Sequence, residues 1–70
     1  MEMNRLEKNY KVKERAENAV IKHLSIDKAI EFLTKELEEF ESLWGRYSSD
    51  CLGHGIQCNR LLISWLERTK

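Results

Sequence analysis

Between Ile26 and Tyr47 the chain places large apolar residues at Ile26, Ile30, Leu33, Leu37, Phe40, Trp44 and Tyr47, in alternating steps of four and three. Side chains three and four apart share one face of an α-helix, so these positions form an unbroken heptad seam. Leu43 falls beside the seam and Phe32 further round the helix, and both widen the apolar surface beyond what one antiparallel neighbour covers. Ser25 can cap the N-terminus, and Asp27 suits the positive end of the helix dipole. The pattern predicts a helix over about 26–46, with Gly45 near its exit.

A weaker helical pattern precedes it. Leu6, Tyr10, Ala16, Val20 and Leu24 recur at helical spacing, with Val12, Ala19 and Ile21 nearby, and predict one helix over about 4–23. Lys13 and Glu17 interrupt any strict heptad there. A third helix is expected over about 50–68, where two adjacent rows form a wide apolar face. One is Cys51, Gly55, Cys58, Leu62, Trp65; the other is Leu52, Ile56, Asn59, Ile63, Leu66. Gly53 and Gly55 together cost a helix about 1–2 kcal/mol relative to alanine. The apolar rows keep their phase across them, which favours a helix narrowly over a turn.

These elements predict one all-α domain spanning residues 1–70. Its expected form is a small antiparallel three-helix bundle, or helical hairpin, around the heptad-patterned central helix. A 70-residue chain buries a marginal core, and folds of this size generally need a disulfide, a metal or another chain. The excess of apolar seam therefore predicts a homo-oligomer, with Ile26, Ile30, Leu33, Leu37, Phe40 and Trp44 as its seam.

Charge narrows the picture further. Charged residues are 34% and hydrophobic ones 41%, too apolar for disorder and too charged for a membrane protein. The net charge is zero, but residues 1–24 and 51–70 each carry +2 and residues 25–50 carry −4, as suits helices that pair with one another. No apolar h-region follows Met1, so no signal peptide is visible, and no run approaches a membrane span. The expected compartment is the cytoplasm, or a host's cytoplasm if the source is viral, where two cysteines are more often thiols than a disulfide.

Candidate chemistry is sparse. Cys51, His54 and Cys58 form C-x2-H-x3-C, and His23 could supply a fourth zinc ligand. On a continuous helix Cys51 and Cys58 stand about 10.5 Å apart along the axis. Two thiolates on one tetrahedral zinc lie only about 4 Å apart, and a disulfide needs Cα atoms within about 7 Å. Only a Gly-His-Gly turn rescues either idea, so no metal, cofactor or catalytic residue is assigned. Helix 1 carries Arg5, Lys8, Lys11, Lys13, Arg15 and Lys22, which could track phosphates, but Glu7, Glu14 and Glu17 interleave with them. Nucleic acid and a zinc-stabilised module are thus the weaker alternatives. Phe40, Trp44, Tyr47 and Trp65 are expected to gather at one end of the bundle, with Arg46 among them, and these residue types are common in interface hot spots. The function expected is binding: a regulator, adaptor or inhibitor that acts on another protein through this aromatic end.

Overall fold

A computed structural model describes residues 4–46 and 49–70, and among them the chain is all α-helix, with no strand. Four helices follow in order: α1 (Arg5–Asn9), α2 (Val12–His23), α3 (Ile26–Trp44) and α4 (Asp50–Thr69). None is long and apolar enough to cross a membrane.

The expected single helix over 4–23 is two helices. Asn4 and Glu7 form a capping box that starts α1, and Lys11 adopts a left-handed conformation (φ 54°) before α2 begins. The break has a packing cause. At 100° per residue, a straight helix would carry Leu6 and Tyr10 on the row of Lys13 and Glu17, well round from Val12, Ala16 and Ala19. Turning the chain at Lys11 lets Val12 and Ala16 enter the core while Tyr10 packs against it from α1.

α3 and α4 are the main pair, and they run antiparallel. Gly53 lies under Trp44 and Gly55 under Phe40 at one end, while Asp27 and Lys70 meet at the other. Ser25 caps α3 by accepting from the Lys28 N–H (3.4 Å), and Ser49 caps α4 by accepting from the Leu52 N–H (3.2 Å). α4 runs unbroken through both glycines. A methyl added at either would stand 3.1 Å from a Trp44 or Phe40 ring atom, so the bare backbone is what admits the rings. That close approach offsets the helix cost of glycine.

The core joins three helices: Val12 and Ala16 from α2, Ala29 and Leu33 from α3, and Cys58, Leu62, Trp65 and Leu66 from α4. Two polar side chains are buried among the described residues, Glu7 and Asn59. Asn59 donates from Nδ2 to the Leu33 carbonyl (3.4 Å) and to Glu36 Oε1 (3.0 Å), which fixes the register of α4 on α3.

Candidate functional site

Much of the heptad seam is used inside the chain. Leu33 is buried, Ile26, Ile30, Leu37 and Phe40 are partly buried, and the row follows α4 from Leu66 back to Gly53. Most of the seam therefore packs within the chain, while Trp44 at its end is 43% exposed.

The aromatic residues do not gather at one end. Phe40 and Trp44 pack over the α4 glycines, and Arg46 lies in the turn after α3, where its N–H donates to the Leu43 carbonyl (2.9 Å). Tyr47 lies outside the described residues. Trp65 sits at the far end of α4, twelve residues or about 18 Å along the axis from Gly53. It is only 7% exposed and belongs to the core, so it cannot form part of a partner face with Trp44.

The cysteine and histidine cluster also disperses. Cys51 is exposed and Cys58 is buried, with the Arg15 Nη1 donating to its sulfur (3.7 Å). His54 meets the edge of Tyr10, and His23 packs against Phe32, each with ring centres 4.6 Å apart. Among the described residues no three His, Cys, Asp or Glu side chains are placed to hold a metal ion.

A different surface emerges at the opposite end of the hairpin. An open hollow of about 520 Å³ runs along α2, with Ala16, Val20, Ile21, Ile26, Trp65 and Leu66 as its apolar walls and floor. Its polar lining is Lys13 and Glu17 from α2 and Thr69 from α4, and Ile26 lines it from the first turn of α3. Beyond Ile26, Asp27 pairs with Lys70 (3.0 Å) through two exposed side chains. The floor is braced from behind. The Arg68 guanidinium lies over the Trp65 ring at 5.4 Å and donates to Glu7, whose carboxylate is 2% exposed and also accepts the Asn4 N–H.

Leu24 occupies the turn between Ile21 and Ile26, two residues that line this hollow. It ends α2 in the left-handed conformation (φ 60°, ψ 17°), which glycine or asparagine adopts readily and a leucine does not. Its side chain is 89% exposed, and that of Ile21 is 70% exposed. Val20 and Ile21 gave a signal in the sequence, since two adjacent apolar positions 100° apart cannot both face one narrow core. Leu24 gave none, because it reads as one more step in the helical row.

No family model, curated protein or solved structure matches the chain.

Proposed function

We propose that this protein is a small helical binding module that acts on another protein as a regulator, adaptor or inhibitor, and that it docks through the corner where α2 turns into α3. The observation that carries this reading is Leu24. Its backbone conformation costs a non-glycine residue about 1–2 kcal/mol, and its side chain gains almost no burial in return. Neither local structure nor core packing accounts for a leucine there, whereas a surface that buries it on docking does. Ile21 and the apolar hollow extend the same patch, and Trp65 gives it an aromatic floor.

On this reading the chain is an oligomer or complex component, and the apolar excess that assembles it lies at this corner and not along the α3 seam. The proposed setting is the cytoplasm, where Cys51 and Cys58 persist as thiols. No catalytic role is proposed.

The test is affinity capture with quantitative mass spectrometry, run in parallel on the wild-type chain and on Ile21→Asp/Leu24→Asp. Both positions are exposed, so the double variant should keep its helical circular dichroism. Saturable binding of a protein that the double variant loses is the expected result. Identical captured sets for the two chains would contradict the assignment of the docking corner.

A further inference from the structure

We propose that the start of α4 is a redox switch, in which a hydroperoxide oxidises Cys58 and Cys51 then closes a disulfide onto it as the helix unwinds across Gly53 and Gly55. This site shares no residue with the hollow at the docking corner, and the two stand independently.

The sulfurs are too far apart to share a metal, yet Cys51, His54 and Cys58 line one open hollow of about 560 Å³, which admits a small solute. Cys58 is 6% exposed at its wall, and Arg15 lines the same hollow and donates from Nη1 to the Cys58 sulfur (3.7 Å). The guanidinium thus stands where negative charge passes from an attacking sulfur to a departing oxygen.

Burial divides α4 at Cys58. Its buried residues are Cys58, Asn59, Leu62, Trp65 and Leu66, whereas residues 50–57 are exposed or half-buried. Those first two turns are held by the Ser49 cap, by the Gly53 N–H donating to the Ser49 carbonyl (3.0 Å), and by ring contacts. Trp44 lies on Gly53, Phe40 on Gly55, and Tyr10 against His54. Opening them leaves the core side chains of α4 in place. In the intact helix the cysteines stand about 10.5 Å apart along the axis, beyond the roughly 7 Å that a disulfide spans between Cα atoms. Glycine leaves the helical conformation most readily, and both glycines of α4 lie between the two cysteines.

The chemistry balances with a hydroperoxide as oxidant. The Cys58 sulfur attacks its terminal oxygen, the O–O bond breaks, and an alcohol or water departs, leaving a sulfenic acid. The Cys51 sulfur then attacks Cys58, the S–S bond forms, and the hydroxyl leaves as water with the Cys51 proton. Two thiols have lost two electrons to one peroxide. Closure draws Gly53 and Gly55 from under Trp44 and Phe40, so the oxidised chain uncovers both rings. In a reducing compartment such a bond is transient, as suits a sensor.

The test treats the reduced full chain with equimolar hydrogen peroxide. Both cysteines fall in one tryptic peptide, residues 47–60, which should become two hydrogens lighter, resist alkylation and revert with dithiothreitol. Amides 52–56 should lose hydrogen-exchange protection while those of 60–66 keep theirs. Cys51→Ser, at an exposed position, should instead accumulate a Cys58 sulfenic acid that dimedone traps. In that background Arg15→Gln should slow trapping by roughly tenfold or more, and Arg15→Lys should recover most of the rate. An unreactive chain would overturn the proposal, as would copies cross-linked through Cys51 with Cys58 still a thiol. So would a Cys51→Ser chain that yields no adduct at Cys58, or trapping that Arg15→Gln leaves unchanged.

Discussion

The two ends of the α3–α4 hairpin both expose large apolar side chains, yet only one of them is explained by the chain's own structure. At the end of α3, Trp44 is 43% exposed, and its ring lies against the bare backbone of Gly53. The α4 glycines make the room, so local packing accounts for the aromatic residues there. At the opposite corner Leu24 holds an unfavourable backbone conformation and meets almost nothing. Exposed apolar area is common on small proteins. It becomes evidence of a partner where conformation and packing both fail to account for it.

The largest expected effect separates the two tryptophans. Trp65→Ala removes the floor of the hollow from a fully packed site and should cost about 3–5 kcal/mol, enough to unfold a domain of this size. Trp44→Ala removes a half-exposed ring and should cost about 1–2 kcal/mol. Urea titration followed by circular dichroism measures both. Equal losses would mean that the two ends are built alike.

The brace behind the floor comes next. Glu7→Ala deletes a buried carboxylate that pairs with Arg68 and closes the α1 capping box. Removing one member of a buried pair costs about 3–5 kcal/mol where the other is left dry, but Arg68 keeps access to water, so about 2 kcal/mol is expected. Native-state hydrogen exchange should show α1 opening first. Unchanged protection across α1 would mean that the pair does not hold it.

Leu24→Asn sharpens the comparison because two effects separate by sign. Asparagine tolerates the left-handed conformation, so the isolated chain should gain up to about 1 kcal/mol, while docking at the corner should weaken. Leu43, also exposed, lies within α3, and Leu43→Asn should instead lose a few tenths of a kcal/mol through helix propensity. Thermal melts, paired with the affinity capture described for the double variant, test both. Parallel behaviour at the two positions would remove the distinction between them.

The smallest effects lie at the glycine end. Gly53→Ala and Gly55→Ala each recover about 1 kcal/mol of helix propensity and each crowd an aromatic ring at 3.1 Å. Trp44 can yield toward solvent more easily than Phe40, so Gly53→Ala should be the more stable of the two. The reverse order in chemical denaturation would place the tight contact at Trp44.

How much of this could be read from residues alone depends on how local its cause is. The hairpin helices were legible because the seam from Ile26 to Trp44 and the Ser25 cap are periodic or adjacent features. The phase of the Cys51–Trp65 row likewise carried α4 through its glycines. The break at Lys11 was hidden, since a lysine in the left-handed region leaves no compositional mark, although Asn4 and Glu7 already spelled a capping box. The position of Trp65 was recoverable in principle. Folding a hairpin between Gly45 and Ser49 pairs Trp65 with the first turns of α3, far from Trp44. The Glu7–Arg68 brace and the Asn59 bridge were not, because each depends on side chains that only the tertiary fold brings together.

The most direct test of the central claim places the contact at Leu24 itself. The methyl-labelled chain can be followed by NMR as the protein captured by the wild-type chain is added. The Leu24 and Ile21 methyl signals are predicted to shift and broaden on that addition, more than those of Leu43. Leu24 methyls that keep their solvent-exposed shifts while signals elsewhere on the chain move would contradict it.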